Sequence, residues 1–118
     1  MARTALPVED LSPVCCAPLR QAEAMDEADA SDVAARLKAL GDPVRLRLVS
    51  LMLAAPDGEA CTCDLAPGVG LSEPTVSHHL KQLLTAGLVS KERRGMNVYY
   101  RAEPEALRAL ARVLDVAR

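Results

Sequence analysis

The chain has 118 residues, half of them apolar, no Trp or Phe, and a formal net charge of -2. That length leaves room for one domain with one core, and the apolar share favours a globular body over a disordered chain. A core built from Leu, Val and Ala, with Tyr99 and Tyr100 the only aromatic residues, suits close-packed helices better than a sandwich of strands.

Residues 1–30 carry Pro7, Pro13 and Pro18, many acids, and no sustained amphipathic period before an Ala-rich stretch near Glu23. They read as a flexible arm bearing Cys15 and Cys16, followed by a folded body over 31–118. Ser31 is a good N-cap, Val33, Leu37 and Leu40 repeat at helical spacing, and Gly41 ends that first helix. Pro43 then opens a second helix through Val44, Leu46, Leu48, Val49, Leu51, Met52 and Leu53, apolar nearly all round and so expected at the buried centre. After a turn at Pro56, Asp57 and Gly58, a short segment from about Cys61 to Ala66 is expected to stop at Pro67 and Gly68. Ser72 caps the next helix, whose buried stripe is Val76, Leu80, Leu83 and Leu84 and which closes at Gly87. Leu88 to Arg94 and Asn97 to Arg101 form a hairpin through Gly95 and Met96, and Pro104 opens a last helix. The predicted fold is mainly helical: helix, tight turn and helix, followed by a small hairpin with a basic tip.

Charge is uneven along this layout. Residues 1–35 hold Arg3 and Arg20 against seven acids, whereas residues 36–118 hold twelve Lys or Arg against nine. The body is basic and the arm acidic, so the overall negative charge is a misleading average. No basic leader precedes an apolar stretch, and no apolar run approaches the roughly 18 residues a membrane span needs. The chain is therefore expected in the cytoplasm, away from membranes, with its four cysteines acting as ligands, redox sensors or core fillers rather than structural disulfides.

In a helix-turn-helix the second helix enters the major groove and presents short polar groups to base edges and cations to phosphates. The helix from Ser72 meets that demand. Thr75, His78, Lys81, Gln82 and Thr85 stand opposite its apolar stripe, with Ser77 and His79 flanking. The candidate DNA contacts are Ser72, Thr75, Ser77, His78, Lys81 and Gln82 on this helix, with Arg93, Arg94 and Asn97 at the hairpin tip, where cations can straddle a backbone. On the last helix Leu107, Leu110 and Leu114 make a stripe with few surfaces of its own chain to cover, so they are expected to pack against a second copy.

Three segments resemble the ArsR/SmtB family of bacterial metal-responsive repressors: Leu40-Gly41-Asp42-Pro43-Val44-Arg45-Leu46-Arg47, Leu71-Ser72-Glu73-Pro74-Thr75-Val76-Ser77-His78-His79-Leu80, and Ala86-Gly87-Leu88-Val89. The resemblance spans about Ala34 to Tyr100, and its most specific part is Ser-His-His-Leu. It implies a dimeric winged helix-turn-helix repressor on operator DNA, with the first and last helices forming the dimer interface. Glu73 departs from the Gln usual in the family after the capping Ser; its carboxylate would accept from cytosine N4 and repel phosphate. The last helix has no His and only Glu103, Glu105 and Asp115 nearby, so it lacks the family's zinc site at the dimer interface.

Cys61-Thr62-Cys63-Asp64-Leu65 resembles the Cys-Val-Cys-Asp-Leu metal box of arsenic, cadmium and lead sensors in that family. In a regular helix residues two apart point roughly 200° from each other, so both thiols face one ion only where the helix is just starting. Adjacent Cys15 and Cys16 in a Pro-bounded arm can also close on one soft ion. Thiolates without nearby imidazole favour thiophilic ions. The vicinal pair plus one cysteine of the box would satisfy arsenic(III), or antimony(III), as inducer, while all four would better suit cadmium or lead. Which of Cys61 and Cys63 is the ligand, and whether the site lies within or between subunits, stays open here. A thiol-disulfide switch without an ion is the competing reading. No Gly-rich loop, paired acids or orienting partner accompanies these residues, so neither an enzyme nor an organic cofactor is expected.

Overall fold

The computed structural model describes residues 16–116, which form five helices and three strands. They fall into two compact units, residues 38–103 and, separately, residues 16–37 with 104–116.

In the larger unit, α2 (Pro43–Ala54) begins where Asp42 accepts from the backbone N–H of Val44 and Arg45 at 3.0 and 3.1 Å, satisfying two of the amides a helix start leaves without partners. Its buried residues are Leu48, Val49 and Met52, while Leu46 and Leu53 are about half exposed. The expectation that this helix is buried all round is therefore corrected: one face enters the core of the single chain. A turn at Pro56–Gly58, with Asp57 at φ 60°, leads into β1 (Glu59–Cys61). The helix α3 (Thr62–Val69) follows at once.

Pro67 does not stop α3, as the sequence led us to expect, and the helix runs on to Val69. Within an α-helix its missing N–H forfeits only the bond to the carbonyl of Cys63, a residue on the exposed first turn. At Gly68 an added Cβ would come within 2.8 Å of a Leu51 methyl, the end of a side chain that can shift to admit it. Then α4 (Glu73–Thr85) buries Val76, Leu80 and Leu83 completely, and Gly87 at φ 76° turns the chain into the hairpin.

The strands β2 (Val89–Arg94) and β3 (Asn97–Ala102) pair antiparallel as expected. The sequence did not disclose β1, which joins the hairpin on the free edge of β3 with Glu59 opposite Arg101, Ala60 opposite Tyr100 and Cys61 opposite Tyr99. The order β1-β3-β2 makes a three-stranded wing. Leu65, Ala66 and Val69 of α3, with Ala60, Cys61, Leu88, Val89, Tyr100 and Ala102, join the buried set of this unit.

The helix α1 (Glu27–Leu40), whose last three residues belong to the larger unit, starts four residues before the expected Ser31, because Asp26 already caps it by accepting from the N–H of Asp29 at 2.8 Å. The last helix, α5 (Pro104–Leu114), buries Ala106, Ala109, Leu110 and Val113 within the single chain. This corrects the predicted stripe: Leu110 is only 3% exposed and so is a core residue, Leu107 is half-buried, and Leu114 is 54% exposed. The segment before α1 is tied to the end of α5, Leu19 donating its N–H to Val113 at 3.0 Å and Arg20 its Nε–H to Val116 at 2.8 Å.

Truncating Leu80, which has no solvent exposure, should lower stability by about 2–5 kcal/mol, since a cavity is left among helices with little room to collapse. Urea unfolding followed by circular dichroism measures it; a loss below about 1 kcal/mol would mean that α4 is not clamped by its inner stripe.

Candidate nucleic-acid interface and thiol site

The outward face of α4 follows from its inward one. With Val76, Leu80 and Leu83 fixed in the core, helical geometry turns Thr75, Ser77, His78, Lys81 and Gln82 to solvent, and all five are exposed. Ser72, also exposed, caps α4: its hydroxyl accepts from the N–H of Thr75 at 3.3 Å and donates to the Thr75 hydroxyl at 2.9 Å. Glu73 occupies the first turn, where its charge faces the positive end of the helix dipole.

His79 leaves this face. Its side chain is 17% exposed, and Nδ1 lies 3.0 Å from Nη1 of Arg45 and 3.9 Å from the carboxylate of Asp42. A guanidinium only donates, so this contact is a hydrogen bond in the tautomer whose Nδ1 carries the lone pair. Arg45 also donates Nε–H to the carbonyl of Ala39 at 2.6 Å. The backbone N–H of Arg45, then its charge, holds the Asp42 carboxyl below its ordinary value. Asp42 and Arg45 were part of the quoted resemblance, but their role in seating α4 was not legible in one sequence. It depends on contacts across 34 residues of chain.

At the wing tip Met96 is 94% exposed, and Lys91, Arg93 and Asn97 are exposed around it. Arg94 is engaged. Both of its terminal nitrogens reach the Glu59 carboxylate, Nη2 at 2.9 Å, and Nη2 and Nε meet Glu92 at 2.7 and 3.1 Å. Its guanidinium also stacks 4.9 Å from the centre of the Tyr99 ring. This bidentate bond pulls Glu59 below the ordinary carboxylate range and pushes Arg94 above its own.

The thiol pair occupies the junction of β1 and α3. Cys61 is the last residue of β1 and the N-cap of α3, with extended backbone at φ -82° and ψ 163°, and only 3% of it is exposed. Cys63, on the first turn, is exposed. Because the helix is only beginning, the two side chains converge rather than diverge, with Cα atoms 5.1 Å apart and the sulfurs joined as a disulfide. The expectation of reduced thiols is corrected here by the same extended-to-helical geometry that would let two thiolates share one ion. The Cys61 and Cys63 sulfurs and an Asp64 carboxylate oxygen all lie within 4.8 Å of one another. Only after reduction would the pair offer two soft donors beside one hard one, a set that suits a thiophilic ion and leaves a third thiolate to be supplied for trivalent arsenic. Cys16 belongs to the other unit, and Cys15 lies outside the described residues.

Comparison with known proteins agrees with this geometry. Residues 42–91 match the family described as bacterial regulatory protein, arsR family. A putative arsenical resistance operon repressor of Halobacterium salinarum is 40% identical over 116 residues, covering 98% of this chain and 92% of the relative. An arsenic resistance transcriptional regulator of Pseudomonas putida is 44% identical over 68 residues, 58% of this chain, and the match spans only about half, 52%, of that relative's length. Among solved structures, the AntR antimony-specific transcriptional repressor superposes with a TM-score of 0.65 at 32% identity, covering 79% of this chain and 83% of that one. Among the described residues no helix is long and apolar enough to cross a membrane. Helix, turn, polar-faced helix and wing, joined to this pattern of likeness, establish that the chain belongs to the arsR family of bacterial regulatory proteins, which are DNA-binding transcriptional regulators and not enzymes.

Proposed function

We propose that the chain is a homodimeric repressor of operator DNA, released when arsenic(III) or antimony(III) is taken up by its cysteine thiolates. The observation that carries this reading is the convergence of the Cys61 and Cys63 sulfurs where β1 becomes α3, nine residues of chain before Ser72 caps α4. Reduced, Cys61 and Cys63 offer two thiolates side by side, and Cys15 or Cys16, from the same chain or a partner copy, supplies the third. That third assignment rests on donor chemistry: trivalent arsenic is satisfied by three thiolates, and no other cysteine exists in the chain. Cadmium or lead would call on all four. The Cys61–Cys63 bond also favours a second reading, in which oxidation of this pair releases DNA without any ion.

Titrating the reduced protein on its operator with arsenite, antimonite, cadmium, lead and peroxide separates these readings. Arsenite or antimonite should release DNA at the lowest concentration, and Cys61→Ser or Cys63→Ser should abolish release while leaving DNA binding intact. Release by peroxide alone would sink the ion-dependent reading in favour of the redox one.

On DNA, α4 reads bases through Thr75, Ser77, His78, Lys81 and Gln82, while Ser72, Arg93 and Asn97 hold the backbone. Arg93→Ala should weaken binding to every sequence alike and reduce the slope of log K against log salt by about 1. Gln82→Ala should instead change the preferred sequence, by about 1–3 kcal/mol of discrimination at one base pair. A dimer presenting paired helices should protect half-sites about 34 Å apart, or a multiple of that.

Leu107 and the exposed Leu114 of α5 are the residues available to a partner copy. Leu114→Glu should yield folded monomers in sedimentation, whereas Leu110→Glu, placing a charge in the core, should lower the melting temperature. An intact dimer with Leu114→Glu would remove that residue from the interface.

A further inference from the structure

We propose that Arg94 is a positioning residue and not a DNA contact: its pair with Glu59 ties the wing to the thiol-bearing strand, so that the Glu59–Arg94 bond couples the state of Cys61 to the wing. The proposal rests on the reading of Cys61 and Cys63 as the sensing thiols. β1 is only three residues long and lies at the edge of the sheet, so backbone pairing alone holds it weakly. It nonetheless carries Cys61 at one end and Glu59 two residues before it, on the same face of the strand. Across the sheet, Cys61 is paired with Tyr99, and Tyr99 with Glu92.

Arg94 closes this set from the far strand. From the last position of β2, beside Gly95, its side chain passes over Tyr99 of the middle strand and grips Glu59 of β1 with both terminal nitrogens, while Glu92 holds it from behind. One side chain thus spans all three strands. Glu59 is 17% exposed at its side chain and fully ionised near neutrality, because Arg94 holds its carboxyl low. Drawing Cys61 toward Cys63, by a shared ion or by a disulfide, acts on the end of β1, and Glu59 conveys that displacement to the hairpin tip where Arg93 and Asn97 project. The neighbouring arginines therefore have different tasks: Arg93 makes no ion pair with a described residue and is available to phosphate, while Arg94 is already committed to two carboxylates.

The test compares Glu59→Gln and Arg94→Gln with the unaltered full-length dimer in three measurements. Ion uptake by the thiols, followed with Cd²⁺ through sulfur-to-metal charge-transfer absorption, should be unchanged. Operator affinity without ion should stay within about threefold, and the salt slope of Arg94→Gln should match the unaltered protein, because neither group touches phosphate. The ratio of operator affinities without and with saturating arsenite, of the order of 5–150-fold for typical coupled sites, should shrink about tenfold or collapse to one in both variants. The double variant should lose no more than either single one, as expected for two groups acting as a unit. A salt slope reduced by about 1 in Arg94→Gln would make Arg94 a phosphate contact and overturn the proposal. So would an undiminished affinity ratio in Glu59→Gln. If the unaltered protein shows no charge-transfer band, the sensing role of the thiols fails, and the salt slope still decides whether Arg94 touches DNA.

Discussion

The outward face of α4 depends on three side chains that no solvent reaches. Val76, Leu80 and Leu83 fix the rotation of α4 about its axis, and a helix has no freedom to choose its outer face once its inner face is committed. The core they enter contains no Phe or Trp, so it is closed by branched aliphatic residues of α2 and α3 and by Leu88 and Val89 beyond the turn. Aliphatic packing of this kind tolerates little loss of volume. The polar row from Thr75 to Gln82 is in this sense a by-product of burial, and its side chains are free of any packing duty.

The second constraint is the single residue at which a strand turns into a helix. Cys61 ends β1, caps α3, and is almost wholly buried, whereas Cys63 two positions later stands in the open. A pair with one buried and one exposed residue has an anchored member and an accessible one. Whatever reaches Cys63 from solution is thereby connected to the sheet through Cys61. The acids around the pair differ in the same way: Glu59 is held by Arg94, while Asp64 is exposed on the first turn of α3.

Most of the architecture was legible because it is written in local chemistry. Pro43, Ser72, Pro104 and Gly87 mark helix ends by backbone geometry that acts within one turn, and the hairpin register follows from the Gly95–Met96 corner. What escaped was non-local or marginal. A three-residue strand has no periodicity to detect, so β1 emerged only through its pairing with β3. The stop expected at Pro67 failed because a proline's cost depends on which carbonyl loses its donor, and here that carbonyl lies on the first turn of the helix. On α5 the pattern of leucines suggested the stripe Leu107, Leu110 and Leu114, yet the small residues Ala106 and Ala109 line the buried face beside Leu110 and Val113. Close helix packing favours such side chains, and counting leucines does not find them. The thiol site was legible as a spacing. Its dependence on an extended residue at the cap could be stated in advance only as a condition.

The link of Asp42, Arg45 and His79 has a genetic consequence. Arg45 joins the carbonyl of Ala39 to the ring of His79, and Asp42 both starts α2 and faces that ring, so the end of one helix, the start of the next and the middle of α4 share one polar knot. A selection for altered operator affinity would accordingly return alleles at positions 42 and 45, more than thirty residues before His79 on α4. Such alleles would resemble contact mutants in phenotype while leaving the exposed polar side chains of α4 intact. They would be told apart by their suppressors, which should arise within the knot itself and not along the exposed face of α4.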